Sequence, residues 1–198
     1  KLNAIPDPST EVRAFSQYVA EGEKQVDRLV KLIEDMLDLT RVTQGQLPMK
    51  REMTDLNALL KTVTSRLEAQ FLDAKIEVKF TSSGSVFVSA DSSRIEQVAT
   101  NLLTNAVKYA PGKPLEITLS KREGKAELRI RDNGPGIADK DKEQIFNRYE
   151  RLNASSNVSG LGIGLYLAKS IVVAHKGSIR VENAEGTGAV FIVELPLI

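Results

Sequence analysis

Apolar residues in the first segment of the chain recur at alternating steps of three and four. The series runs Val12, Phe15, Val19, Gly22, Val26, Leu29, Ile33 and Met36, with Thr40 closing it and Val30 and Leu37 widening the stripe. That period predicts one long helix packed in a coiled coil or helix bundle, against a partner helix in preference to the core of its own domain. Pro6 and Pro8 punctuate its start, Ser9 or Thr10 can cap it, and Gly45 suits its end. The charged residues Glu23, Lys24, Asp27, Arg28, Lys31, Glu34 and Asp35 lie mostly off this seam.

The pattern then changes. Residues 46–53 read as a linker or short strand containing Pro48, and Thr54 or Asp55 caps a second helix running to about Asp73. Period-two runs predict strands at 76–81 and 86–89. Residues 92–110 are helical, with Ile95, Val98, Leu102 and Ala106 on one face. A strand pair, 115–120 and 125–132, is joined across Glu123-Gly124. A helix over 162–175 stops at Gly177, and strands at 178–183 and 189–195 close the chain across a turn with Gly186 and Gly188. The predicted class is α+β: a two-layer sandwich with a mixed sheet packed against helices, preceded by a long stalk helix. There is no internal repeat and no low-complexity tract.

Bulk properties narrow the function classes. A length of 198 residues suits one ordinary domain plus an appendage, and 41% hydrophobic with 27% charged residues rules against disorder. A net charge of +1 makes nucleic acid an unlikely default partner, so none is expected. The absence of cysteine excludes disulfide frameworks and thiolate metal sites. No apolar run approaches the ~20 residues a bilayer span needs, and the proline-broken opening does not read as a signal peptide. The expected location is cytoplasmic, compatible with the cytosolic part of a membrane-bound protein.

Four short segments carry candidate chemistry. On the 92–110 helix, Asn101 and Asn105 sit one turn apart, with Lys108 and Tyr109 a turn further on. Amide oxygens can ligate magnesium, a lysine can meet a phosphate and a ring can lie along a base, although a solvated polar face explains the same residues equally well. Asp132-Asn133-Gly134-Pro135-Gly136-Ile137 follows a strand; its glycines permit close ligand approach and its carboxylate can accept from an exocyclic amine, but Asp-Asn-Gly is also an ordinary turn. Phe146-Asn147-Arg148-Tyr149-Glu150-Arg151 interleaves aromatic rings with arginines, and alone reads best as a surface helix end. Gly160-Leu161-Gly162-Ile163-Gly164 opens a helix and leaves backbone N–H groups at its positive end, a phosphate site by nature. It is neither a Walker loop nor a convincing dinucleotide fingerprint.

Taken in this order, the segments resemble the N, G1, F and G2 boxes of the sensor histidine kinase catalytic domain. Arg28-Leu-Val-Lys-Leu-Ile-Glu-Asp-Met-Leu-Asp-Leu-Thr resembles the second helix of that family's dimerisation stalk. The resemblance covers nearly the whole chain. It implies the Bergerat ATP-binding fold, with residues 1–46 as a partial stalk, 47–198 as the catalytic domain and 147–160 as the ATP lid. It implies ATP and Mg2+ as ligands. Asn105 would hold the metal, Asn101 would lie near metal or phosphates, Lys108 would meet a phosphate, and Tyr109 would lie along the adenine. Asp132 would bind the adenine amino group in a pocket shaped by Gly134, Gly136 and Ile137. Arg151, with Arg148, would approach the terminal phosphates, which Gly160, Leu161, Gly162, Ile163 and Gly164 would flank. The reaction implied is transfer of the γ-phosphate to a stalk histidine in two-component signalling. The implied partners are the histidine-bearing stalk helix, a response regulator receiver domain, and a second copy in the full-length protein.

Two departures matter. The family's phosphoacceptor lies in a Ser-His-Glu-Leu-Arg-Thr-Pro-like segment that nothing here matches; the single histidine, His175, falls at a helix end and reads as structural. Self-phosphorylation is therefore not expected. Leu161 stands where many members carry a small or hydroxylated residue. Two other classes compete: a degenerate scaffold that uses the fold only for protein contacts, opposed by Asn105, Asp132 and the glycines, and a Bergerat ATPase or serine-directed anti-sigma-type kinase. The ATPase relatives carry a glutamate one turn before the magnesium asparagine. Here that position is Asn101, which cannot serve as a general base at neutral pH, and the stalk helix opposes the anti-sigma kinase.

Overall fold

The computed structural model describes residues 8–45, 47–150, 161–184 and 186–198. Helix α1 (Pro8–Thr43) is the long helix the three-four spacing predicts. Its seam faces solvent: Phe15 is 70% exposed, Leu29 60% and Ile33 59%, so the seam is not part of this chain's own core. No helix among the described residues is long and apolar enough to cross a membrane.

Strand β1 (Glu52–Asp55) pairs antiparallel with β3 (Phe87–Ala90), so that residues 47–51, with Pro48, are linker and only the end of the ambiguous segment is strand. Thr54 belongs to that strand, and Asp55 is the cap: its Oδ1 accepts from the Asn57 N–H at 3.0 Å and from the Val86 N–H at 3.2 Å. The single helix expected to Asp73 is two, α2 (Leu56–Arg66) and α3 (Glu68–Asp73). Buried Leu67, with ψ near 1°, breaks the run, and Phe71 beyond the break joins the core. The apolar pattern continued through the break, so only backbone geometry reveals it.

The main sheet has five strands in the order β2 (Val78–Ser82), β4 (Leu115–Arg122), β5 (Lys125–Arg131), β7 (Ala189–Pro196) and β6 (Ser178–Asn183). The β2–β4 pair is parallel and the rest antiparallel, which makes the sheet mixed. Its inner face, with Ile117, Leu119, Leu128, Ile130, Phe191 and Val193, packs with residues of α2, α4 (Ser92–Tyr109) and α5 (Gly164–Ala174) in one continuous core. This is the expected two-layer α+β sandwich. On the outer face Glu194 accepts from Lys125 Nζ at 2.8 Å and Arg180 Nη1 at 2.6 Å, and these bonds pull its pKa down to about 2. That contribution is complete above the ordinary glutamate range and fades only as pH falls toward 2.

His175 ties the helical layer together. It caps α5, is buried, and places Nδ1 2.8 Å from the Ile171 carbonyl, while Nε2 accepts from the Asp91 N–H at 3.0 Å. Accepting at Nε2 requires the neutral ring with its proton on Nδ1. Burial lowers the pKa below the ordinary value of 6.5; the Ile171 carbonyl opposes this, Arg51 adds to it, and Asp91 opposes it. The unfolded chain therefore takes up the proton first as pH falls. Stability from this group is complete above about 6.5 and is lost below it. Urea unfolding of the wild type should show stability falling as pH drops from 7 to 5, and His175→Gln should flatten that window. An unchanged slope in the variant would exclude His175 as its source.

Candidate functional site

Helix α4 carries the core on one face and the candidate chemistry on the other. Ile95, Val98, Leu102, Leu103 and Ala106 are buried, while Asn105 is half-buried and Lys108 and Tyr109 are exposed. About two turns separate Asn101 from Lys108 along the cleft side. Asp91 caps the helix, its Oδ1 accepting from the Arg94 N–H at 3.2 Å and its Oδ2 from the Lys50 N–H at 2.7 Å.

Beside α4 opens a cleft of about 670 Å³. Asn101, Asn105, Lys108 and Tyr109 line it, and so do Leu161, Gly162, Ile163 and Gly164 of the glycine segment. Two stretches some fifty to sixty residues apart in sequence thus line one opening. Asn101 is itself buried and donates its amide to the Gly164 carbonyl at 3.1 Å, tying α4 to the first residue of α5. Lys108 has its pKa lowered first by partial desolvation, then by repulsion from Lys31; Asp35 opposes the shift and Arg28 adds to it.

Asp132 stands at the end of β5, buried, outside the lining of that cleft. Its Oδ1 accepts from the Gly134 N–H at 2.9 Å and from the Ala189 N–H at 3.0 Å, and Oδ2 takes part in neither bond. The loop that follows lies against the end of α4: a Cβ on Gly134 would sit 3.2 Å from the Tyr109 carbonyl. Ile137 donates its N–H to Asn183 Oδ1 at 3.0 Å, fixing the loop to β6. Gly136 belongs to the same loop, beside Gly188.

The aromatic–arginine segment is anchored on α5. Phe146 is buried under Lys169, whose Nζ is 5.7 Å from the ring centroid, and Arg148 stacks 5.3 Å over the Tyr166 ring. Arg148 is therefore held against α5, not directed at the cleft. Arg151 and Gly160, with the rest of 151–160, lie outside the described residues. Gly162 adopts φ +70°, and its carbonyl accepts from the Tyr149 N–H at 3.0 Å; a Cβ there would fall 2.8 Å from the Glu150 carbonyl oxygen. The bases of the expected lid are thereby clasped together.

Other contributors carried no local signal. Asn183 and Gly188 look like turn residues and matter only because the β6–β7 turn folds back on Asp132. The polar face of α1 also lines the cleft through Asp27, Arg28, Lys31, Leu32 and Asp35. Among the described residues no cluster of histidine and acidic side chains could hold a metal by itself. A hard cation here would rely on the Asn105 amide and on ligand phosphate oxygens, which suits magnesium beside a nucleotide.

Comparison with known proteins fits this geometry. The family model described as "Histidine kinase-, DNA gyrase B-, and HSP90-like ATPase" matches residues 90–198. The chain belongs to that family. Within it, the chain is similar to sensor histidine kinases and carries a catalytic ATP-binding domain of their kind. It is 35% identical over 179 residues to the sensor histidine kinase RppB of Synechocystis sp., covering 88% of this chain and 39% of RppB. Full-length ShkA, solved in complex with AMPPNP, superposes with a TM-score of 0.78 at 25% identity, covering 92% of this chain and 38% of ShkA. ThkA, solved in complex with the response regulator TrrA, gives a TM-score of 0.71 at 25% identity, covering 98% of this chain and 53% of that one. The chain thus spans about two-fifths of the length of the curated relative RppB.

The support of Asp132 generates a stability test. Gly188 adopts φ +102°, and a Cβ there would lie 2.0 Å from the Asp132 carbonyl oxygen, whereas Gly186, at φ +91°, has open space around it. Gly188→Ala should cost more than about 2 kcal/mol in urea unfolding, and Gly186→Ala about 1 kcal/mol. Equal costs would show that backbone conformation alone, without the close approach, sets the requirement.

Proposed function

We propose that this chain binds ATP with magnesium in the α4 cleft and transfers the γ-phosphate to a histidine on a stalk helix. The observation that carries this reading is the convergence of Asn105, Lys108 and the 161–164 glycine segment on one opening, with the buried Asp132 carboxylate at the end of β5. Asp132 keeps Oδ1 engaged with two backbone N–H groups, so Oδ2 serves as acceptor for the adenine amine. Tyr109 lies along the base. Asn105 offers its amide oxygen to the metal, and Lys108, already crowded by positive neighbours, gains from a phosphate beside it. Residues 161–164 offer backbone N–H groups at the α5 N-terminus. Magnesium, when bound, neutralises the charge that develops on the transferring phosphoryl group.

Asn101 supplies no base, and its amide is committed to Gly164. The residues present therefore favour positioning over activation of water, and transfer waits for the acceptor. His175 is no acceptor: it is buried, with both ring nitrogens engaged. The acceptor histidine comes from a stalk helix outside residues 1–198. Residues 1–46 act as part of that stalk and 47–198 as the catalytic domain, with 147–160 as the lid, to which Arg151 brings charge. The exposed α1 seam is the face on which the stalk bundle and a second copy assemble. A response regulator receiver domain, the partner class seen with ThkA, would take the phosphate onward.

Calorimetric titration with a non-hydrolysable ATP analogue and magnesium tests the site. Wild type should bind saturably. Asp132→Asn keeps an Oδ1 acceptor for the backbone but presents an N–H donor to the adenine amine, and should weaken binding at least about a hundredfold. No binding by the wild type would move the chain to the scaffold class.

A further inference from the structure

Helix α1 has two faces. The apolar seam points to solvent, and nearly opposite it runs a second three-four series: Arg28, Lys31, Asp35, Asp38 and Val42. This second face is docked. Asp38 is buried and accepts on Oδ2 from Arg94 Nη1 at 2.5 Å and Gln97 Nε2 at 2.9 Å, both on α4. Burial would raise the Asp38 pKa, but the bonds from Arg94 and Gln97, with the charges of Arg94 and Arg41, hold it below the ordinary carboxylate value. One residue on, Leu39 packs with Ile163 and Leu167 in a small apolar cluster that Val42 and Tyr166 border. A buried ion pair and an apolar plug thus fix the C-terminal end of α1 against both helices that build the cleft.

That anchor sets the position of the helix above it. Arg28 lies ten residues before Asp38, about 15 Å along the axis. Arg28 and Lys31 line the same cleft as Asn105 and Lys108. Three cations therefore line one opening, together with the carboxylates of Asp27, Asp35 and Glu150. Lys31, itself exposed, is partnered at 3.3 Å by the largely covered carboxylate of Asp35.

We propose that the stalk helix completes the nucleotide site, with Arg28 and Lys31 contacting the phosphate end of the bound nucleotide while the Asp38 anchor holds α1 in place. This inference rests on the reading of the cleft as an ATP site. It makes nucleotide binding and stalk docking favour one another, because an anion shared by Arg28, Lys31 and Lys108 relieves their mutual repulsion only when α1 is docked.

The test is titration of the whole chain with a magnesium–ATP analogue and, separately, with adenosine, which carries no phosphate. The double variant Arg28→Ala/Lys31→Ala should bind the analogue about tenfold more weakly and adenosine unchanged. Lys61→Ala, which removes a positive charge on α2 outside the cleft lining, should leave both unchanged. Asp38→Ala should weaken the analogue similarly, and adding the double variant to it should cost little more, the non-additivity expected if the anchor and the cations act together. Analogue affinity unchanged in the double variant, yet lost in Asp132→Asn, would overturn this inference and leave the ATP site standing. Equal weakening for adenosine would also overturn it, as would full additivity with Asp38→Ala. Failure of the wild type to bind any adenine nucleotide would remove both.

Discussion

Asp91 is bonded three ways, and the placement of the site follows from it. Its carboxylate receives the Arg94 and Lys50 N–H groups, and its own N–H is received by His175. Burial alone would raise the Asp91 pKa, but the bonds from Lys50, Arg94 and Ser93, with the Arg94 charge, hold it below the ordinary value, so the carboxylate stays charged where the cap needs it. One residue therefore joins the linker before β1, the N-terminus of α4 and the C-terminus of α5. With both helices fixed to each other at that end, Asn101 meets Gly164 further along, and the open side of α4 faces the glycine segment.

The two ends of the site are held by different physics. At the cleft, Asn101 and the Leu39–Ile163–Leu167 cluster join α4, α5 and α1 through one hydrogen bond and apolar packing. At the β5 end, backbone N–H groups bind the Asp132 carboxylate, and Gly188 lets the β6–β7 turn approach within a distance no side chain tolerates. Both arrangements fix groups before a ligand arrives, which suits phosphoryl transfer, where positioning and charge neutralisation do most of the catalysis. A buried asparagine at position 101, which cannot act as a general base, is consistent with that division of labour.

Much of this was legible in the sequence because it is local. The 92–110 helix, the strand pair across Glu123-Gly124 and the closing strands rest on periodicity and turn residues, and the structure places them within a few residues of the expected bounds. Asn101, Asn105, Lys108 and Asp132 stood out because each is unusual for its local element. What was not legible depends on tertiary approach. Leu67 continues an apolar pattern, and the break there shows only in its backbone angles. Arg148 carries the charge of a phosphate contact, yet its place over Tyr166 depends on how α5 lies. Arg28 and Lys31 looked like residues off a seam, since nothing local distinguishes a docked charged face from a solvated one, and Asp38 did not stand out at all. Gly188 resembled any turn glycine until the strand it touches was known.

The most direct test of the central claim follows the γ-phosphate. The chain is mixed with radiolabelled ATP, magnesium and a separate histidine-bearing stalk of a sensor kinase, and the label is followed in a single turnover. Acid-labile, alkali-stable label should appear on the added stalk, none on this chain, and little free phosphate when the stalk is left out. Rapid release of free phosphate without a stalk, or stable label on this chain, would contradict it.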